Sequence, residues 1–281
     1  MNDPTQQLLQ WTFFNANQSA AGVHIELLRY WAEELAKPRY TDPKRLLRYG
    51  FKVYSQSDED GIIQEIFRRV GAASRTFVEF GVETGSECNT AKLLLEGWRG
   101  LWMEASAPKA AEVRKNLASF LSQGNLKFIE HVVTVENINS LLKQAGMTGE
   151  IDLLCIDIDY NDYWVWKAVD VANPRVVVIE YNAALRPPMS LVVPYDPTRS
   201  WDGSNYFGAS LEALVRLGRT KGYRIVGCNF SGANAFFVRD DLCGEHFLDP
   251  ATAEEHYEPP RYFAHLMTGG HRGRLGPYQT V

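Results

Sequence analysis

The residues best suited to chemistry in this sequence are acids that follow apolar runs. Leu153-Leu-Cys-Ile156 leads into Asp157-Ile-Asp159, and Val176-Val-Val-Ile179 leads into Glu180, with Asn182 two residues on. If each run is a buried strand, Asp157 and Asp159 lie two apart on an extended segment and point the same way. Glu180 then ends the neighbouring strand. Carboxylates gathered at adjacent strand ends repel one another unless protons or a cation neutralise them. Oxygen donors of this kind suit Mg²⁺, Ca²⁺ or Mn²⁺ rather than zinc. Asp157, Asp159 and Glu180 are therefore a candidate metal set, and Asp157 and Asp159 are candidate catalytic carboxylates. Asp159, or one of the tail histidines His246, His256, His265 and His271, is the candidate to remove a substrate proton. Asp159 and Asp162 have a second reading, as caps of a helix through Trp164, Trp166 and Val169.

A second constellation lies earlier. Thr76-Phe-Val-Glu79-Phe-Gly81-Val-Glu83-Thr-Gly85-Ser86, followed by Leu101-Trp-Met-Glu104, reads as strand, glycine turn, helix and a second strand ending in an acid. An α/β sheet builds nucleotide sites this way: glycines admit close approach of the backbone, and the later acid takes ribose hydroxyls. A pyrophosphate-binding turn would carry three glycines as G-x-G-x-x-G, and this one has Gly81 and Gly85 only. Glu79 and Glu83 beside the turn would repel phosphate and favour a cofactor with positive charge. S-adenosylmethionine, with a sulfonium, an ammonium, a ribose and no phosphate, has that chemistry.

These residues need a sheet to place them. Strand-like runs occur at 76–80, 100–104, 126–133, 152–157, 175–180, 223–228 and 235–239, with helical segments between the first six. The unbroken apolar runs suit parallel strands covered on both faces. The last two are joined by Asn229–Asn234, too short for a helical crossover, so they form an antiparallel hairpin. The expected fold class is α/β: a seven-stranded, Rossmann-like methyltransferase sheet, mostly parallel, closed by that hairpin, with helices on both faces. Ahead of it, His24, Leu27, Leu28, Trp31 and Leu35 fall in a helix that Lys37-Pro38 ends, and a second helix follows Ser57-Asp58. The expected organisation is a helical extension over 1–53, the sheet domain over 54–241 and an irregular tail over 242–281. The segment 185–207 is a long connection, with Arg186, Tyr195, Arg199, Trp201 and Tyr206 as a candidate substrate wall or a subunit contact.

Composition narrows the class. A net charge of −5 with scattered basic residues argues against a nucleic-acid surface. No apolar run reaches the length of a membrane span, and the first residues lack the pattern of a signal peptide, so no membrane partner is expected and the cytoplasm is the expected compartment. Cys88, Cys155, Cys228 and Cys243 form no C-x-x-C pair, which argues against a zinc ribbon or a disulfide framework.

Tyr54-Ser-Gln56-Ser-Asp-Glu59-Asp60-Gly61, Phe77-Val-Glu-Phe-Gly81, Asn89-Thr90, Gly97-Trp-Arg-Gly-Leu-Trp-Met-Glu104, Asp157-Ile-Asp159-Tyr-Asn-Asp162-Tyr-Trp and Val178-Ile-Glu180-Tyr-Asn182 together resemble the FkbM-like branch of S-adenosylmethionine-dependent methyltransferases. The resemblance runs from about Tyr54 to Arg239, with a looser glycine turn than the usual E/D-x-G-x-G-x-G. It implies methylation of a hydroxyl on a small metabolite, sugar or glycan precursor. It places Gly81 and Gly85 against the methionine portion of the cofactor, Glu79 or Glu83 at its ammonium and Glu104 at its ribose. The segment 131–137, centred on Thr134, would border the adenine, and Gln56 would close over the cofactor. A related group of sugar O-methyltransferases holds Mg²⁺ on aspartates at corresponding strand ends, which makes Mg²⁺ the ion the resemblance implies. A homo-oligomer is compatible with this picture. So is a methyltransferase-like sheet that performs no methyl transfer and serves as a binding module or as a metal-dependent enzyme on a sugar or nucleotide.

Overall fold

The computed structural model describes residues 22, 23, 25–263 and 270–281, and the chain divides into two compact units, Met1–Pro43 and Lys44–Val281. In the first, helix α1 covers 25–35 and a 3-10 turn follows over Pro38–Tyr40, with proline at its opening position. Leu27, Leu28, Trp31 and Leu35 lie in α1 as expected, while His24 falls outside the described residues.

The second unit carries a seven-stranded sheet. Its strands are β1 (Thr76–Phe80), β2 (Arg99–Glu104), β3 (Leu126–Glu130), β4 (Gly149–Ile156), β5 (Ala172–Glu180), β7 (Tyr223–Cys228) and β8 (Asn234–Arg239). Their spatial order is β3-β2-β1-β4-β5-β8-β7, in which the first five are parallel and β8 runs antiparallel to both β5 and β7. This is the Rossmann-like sheet of the methyltransferase type. The strand order reverses at β1, whose neighbours β2 and β4 are reached by crossovers in opposite senses. Open α/β sheets bind ligands at such a point, beyond the carboxyl ends of the strands.

The two-residue period of a strand divides the core into two layers. Val78, Phe80, Leu101, Met103, Leu154 and Ile156 turn to one side and pack with α6 (Ile138–Ala145), α7 (Asp162–Ala168) and α8 (Leu211–Thr220). Phe77, Glu79 and Trp102 alternate with them, and Trp102 Nε1 donates to Thr90 Oγ1 beside α3 (Ala91–Leu95). Fully burying a side chain such as Phe77 or Val78 contributes about 1.5–3 kcal/mol, and a sheet covered on both faces gathers many such terms. Helix α2 (Glu59–Val70) precedes the sheet, and α4 (Ala107–Asn116) and α5 (Ala118–Ser122) lie between β2 and β3.

The structure departs from the sequence reading at several edges. β3 ends at Glu130, so His131–Val133 form the turn toward α6 rather than strand. β4 ends at Ile156, so Asp157–Asp159 lie beyond the strand. A small second sheet joins β6 (Leu191–Val192) to β9 (Gln279–Thr280), antiparallel, and fixes both the long connection and the tail. Residues 44–53 and 242–281, expected outside the sheet domain, belong to the same compact unit as the sheet. Among the described residues no helix is long and apolar enough to cross a membrane.

Candidate functional site

The turn after β1 is shaped by backbone crowding. Gly81 has φ +74°, and a Cβ there would stand 1.7 Å from the carbonyl oxygen of Asp157. Only glycine permits the loop after β1 to cross that after β4 so closely. At Gly85, φ +80°, a Cβ would come within 2.9 Å of the Trp102 ring. Both glycines thus join the first crossover to its neighbours within the protein.

The acids on this side are engaged. Glu79 Oε1 accepts from Asn89 N at 2.8 Å, and Oε2 accepts from Thr90 N at 3.1 Å and Thr90 Oγ1 at 2.5 Å. Burial pushes its carboxyl up to about 7 against those hydrogen bonds. Of the two acids expected at a cofactor ammonium, Glu79 or Glu83, the strand face turns Glu79 toward the start of α3, where it holds Asn89 and Thr90. Glu104 accepts from Glu83 N and Ser106 N, each at 2.8 Å. Glu83 takes φ +50°, a left-handed conformation for a residue with a side chain, and its exposed carboxylate meets Lys109 Nζ at 2.5 Å. Thr134 N donates to Asn137 Oδ1 at 2.8 Å, which organises the entry to α6.

The acids beyond β4 and β5 are arranged differently. Asp157, Asp162 and Glu180 each present a carboxylate oxygen within 4.8 Å of the others. Asp162 is wholly buried; its Oδ1 accepts from Ile158 N at 2.8 Å, but among the described residues its Oδ2 has no partner, and neither does Glu180 Oε2. A buried carboxylate oxygen without a hydrogen bond costs about 1–3 kcal/mol or more. Burial first, and then repulsion from neighbouring acids, Asp159 foremost at Asp157 and Asp157 foremost at Glu180, drives the carboxyls of Asp157 and Glu180 well above their ordinary range. Burial likewise takes Asp162 up to about 7. Three hard oxygen donors, two of them with orphaned buried atoms, fit a divalent cation of the Mg²⁺ or Mn²⁺ kind.

Asp159 does not belong to that triad, which corrects the expected metal set. The rule that residues two apart point the same way holds only on extended backbone, and Asp159 has φ +66° after β4 has ended. It stands solvent-exposed, where surrounding protein mass and then Glu83 raise its carboxyl while Lys109 opposes them. Asp162, read from sequence as a helix cap, takes the third place. Its Oδ1 pins the turn at Ile158, and its other oxygen is left for the cluster.

A cavity of about 160 Å³ opens over this floor. Gln56, Asp157, Asp159 and Glu180 line it together with Trp201 and Phe207 from the long connection and Tyr262 and His271 from the tail. The expected residues Glu79, Gly81, Glu83, Gly85, Glu104 and Thr134 do not line it. Of the candidate substrate wall, Trp201 reaches the cavity. Tyr206 instead donates to Pro277 O, Tyr195 to Glu136, and Arg199 pairs with Asp196. A second chamber, about 190 Å³, shares Tyr262 and His271 and adds Asn182, Asn205 and Phe263. No lysine or arginine among the described residues lines either chamber. A larger groove of about 810 Å³ lies at the amino end of β7 between Arg219, Arg224 and residues 244–252, remote from the strand ends that carry the acids. Phe207 and Tyr262 were not singled out by sequence, and His271 was one of four tail histidines offered as a proton acceptor, with no period to mark which of them turns inward. Of the four, His265 falls outside the described residues.

Three solved structures that this chain is similar to are described as methyltransferases. Magnesium protoporphyrin IX methyltransferase from Synechocystis PCC 6803, with bound S-adenosylmethionine, is 13% identical over 66% of this chain and 79% of its own, with a TM-score of 0.44. An O-methyltransferase from Bacillus cereus, in complex with S-adenosylhomocysteine, is 14% identical over 77% and 89%, with a TM-score of 0.41. An S-adenosylmethionine-dependent methyltransferase from Clostridium acetobutylicum ATCC 824 is 13% identical over 75% and 98%, with a TM-score of 0.42. No protein-family model matches the chain, and no curated protein matches it at a significant level.

Proposed function

We propose that this chain is an S-adenosylmethionine-dependent O-methyltransferase acting on a hydroxyl of a small metabolite, sugar or glycan precursor, with a divalent ion held by Asp157, Asp162 and Glu180. The observation that carries the reading is the juxtaposition at the switch point of the sheet. A glycine turn after β1 lies directly against the loop after β4 that bears Asp157, and a cavity floored by acids opens there.

The chain's residues divide the work. Gly81 and Gly85 hold the cofactor turn closed against β4 and β2, and Glu104 fixes the backbone at Glu83, where the ribose and methionine ends of the cofactor would lie. Acids surround that position without a countervailing phosphate site, which favours a sulfonium over a pyrophosphate. When bound, S-adenosylmethionine supplies the electrophilic methyl group. A divalent ion on Asp157, Asp162 and Glu180 would supply Lewis acidity toward a substrate hydroxyl. Asp157 orients the acceptor from the cavity floor, and Asp159 lies between that floor and the cofactor turn. Trp201 and Phe207 exclude water and offer ring faces to the acceptor, so alignment of the two reactants is the main contribution of the protein.

Calorimetric titration with S-adenosylmethionine, followed by transfer of radiolabelled methyl to hydroxylated acceptors, tests the reading. Micromolar binding supports it, and no heat at millimolar cofactor would refute it. One observation favours a second reading, a methyltransferase-like sheet without methyl transfer: both oxygens of Glu104 already accept backbone N–H groups, as those of a purely structural acid would. The same titration separates the two, because the second reading, a binding module or a metal-dependent enzyme on a sugar or nucleotide, expects no heat with S-adenosylmethionine.

A further inference from the structure

We infer that His271 is the proton acceptor of the methyl transfer proposed above, its Nε2 taking the hydroxyl proton of an acceptor bound over the carboxylate floor. The inference rests on that reading of the site and adds a catalytic residue from the tail.

The geometry comes first. His271 lines both chambers and is the only described histidine to do so. His131, by contrast, is exposed, and its Nδ1 lies at 2.8 Å from Val132 O. Three rings clamp His271: Tyr262 stacks on it at 4.6 Å, while Trp201 and Phe207 meet it in T-shaped contacts at 4.9 and 5.7 Å. The chain on its far side is strapped down. Asn205 N donates to Arg272 O at 2.9 Å, Arg274 N donates to Asn205 Oδ1 at 2.7 Å, and Arg274 pairs with Asp202. Orientation of this kind is what a reacting group needs and a loosely tethered tail would not provide.

Among the described residues the ring is clamped but makes no hydrogen bond. Nδ1 is buried without a partner among the described residues, which leaves Nε2 as the accessible nitrogen. A histidine kept for structure usually has its buried nitrogen satisfied. The edge-to-face contacts give a physical account of the exception, since an Nδ1–H can point at the π face of Trp201 or Phe207. That tautomer puts the lone pair on Nε2. Burial lowers the ring's proton affinity, so it is neutral when an acceptor arrives. The titratable groups around it are the floor acids Asp157, Asp159 and Glu180, the Tyr262 phenol, and Arg272 and Arg274 on its own segment.

The step balances. The acceptor O–H bond breaks and its proton joins Nε2, while the oxygen pair forms the new bond to the methyl carbon. The sulfur–methyl bond breaks with its electron pair passing to sulfur, giving neutral S-adenosylhomocysteine and an imidazolium that returns its proton to solvent. A base with a proton affinity near the working pH contributes about 10²–10⁴-fold.

Nitrogen-15 spectra of histidine-labelled protein, with His271 assigned by its absence in His271→Gln, test the assignment without an acceptor. The expected result at pH 7.5 is a neutral ring with an unprotonated Nε2. An imidazolium, or an Nε2–H tautomer, would overturn it. A second arm uses methyl α-D-glucopyranoside, mannopyranoside and galactopyranoside as hydroxyl probes with radiolabelled cofactor. His271→Gln should bind S-adenosylmethionine as the unsubstituted protein does yet transfer methyl about 100-fold more slowly, and free imidazole should restore part of the rate to His271→Ala. Transfer by His271→Gln at the full rate would also overturn the assignment. Failure to bind S-adenosylmethionine would instead sink the methyl-transfer reading, and if none of the glycosides is methylated the ring's protonation state still decides.

Discussion

The acids at the carboxyl ends of β1 and β2 and those around the carboxyl ends of β4 and β5 are carboxylates at the same end of one sheet, yet they are held in opposite ways. Glu79 and Glu104 have both oxygens occupied by backbone N–H groups or the Thr90 hydroxyl. Asp157, Asp162 and Glu180 crowd together, and two of their buried oxygens have no donor. Hydrogen-bond satisfaction, rather than charge or position in the sequence, separates an acid that builds the scaffold from one left open for a ligand. The first group stabilises the fold. The second opposes it until protons or a cation arrive.

Substitutions on the two sides should therefore move stability in opposite directions. The largest effect is expected at Glu79, where Glu79→Ala strands the buried N–H groups of Asn89 and Thr90. Unfolding in urea should show a loss of about 3–5 kcal/mol, and a loss below about 1 kcal/mol would remove Glu79 from the scaffold. Next comes Asp157→Asn, expected to leave the fold intact and slow methyl transfer about 100-fold; an unchanged rate would take Asp157 out of the site. A smaller, inverse effect is expected at Asp162. Asp162→Asn keeps an oxygen for Ile158 N while removing one charge, so the metal-free protein should gain about 1 kcal/mol, measured by the same denaturation. If it loses stability instead, the comparison between the two sides breaks.

The pH dependence sharpens the same point. Asp162 is raised from 3.8 to about 7, so its protonated form is favoured by folding. Its contribution is full below about 4, the unfolded value, and is lost as pH rises through about 7. Metal-free protein should accordingly melt at a lower temperature at pH 8 than at pH 5.5, with Glu79, also raised to about 7, adding in the same sense. Mn²⁺ should reverse the Asp162 part of the loss at pH 8 in the unsubstituted protein but restore nothing in Asp162→Asn. The smallest effect belongs to Glu83→Ala, whose ion pair with Lys109 is solvent-exposed. A change below about 0.5 kcal/mol is expected, and a larger one would show that this bridge secures the turn.

Much of the fold was legible because buried parallel strands announce themselves as continuous apolar runs bounded by turns. Leu153–Ile156 and Val176–Ile179 lie inside β4 and β5, and the short link after Cys228 gave the antiparallel closure. The site was legible only in part. Asp157 and Glu180 could be found because each directly follows the apolar run of its strand. Asp159 was misplaced because the left-handed turn at that residue leaves no mark in residue type, and Asp162 was hidden by its resemblance to a helix cap. Gly81 was found for a different reason from the one the structure gives, close contact with the Asp157 carbonyl. Tyr262 and His271 reach the cavity through contacts between the tail and the loop of Trp201, which are long-range and carry no local pattern.

Titration of Mn²⁺ into metal-free protein, followed by electron paramagnetic resonance in the unsubstituted chain, Asp162→Asn and Glu104→Gln, tests the division of the acids most directly. The account expects one bound ion in the unsubstituted chain, the same in Glu104→Gln, and binding weakened at least about 10-fold in Asp162→Asn. No bound ion in the unsubstituted chain, or equal binding in all three, would contradict it.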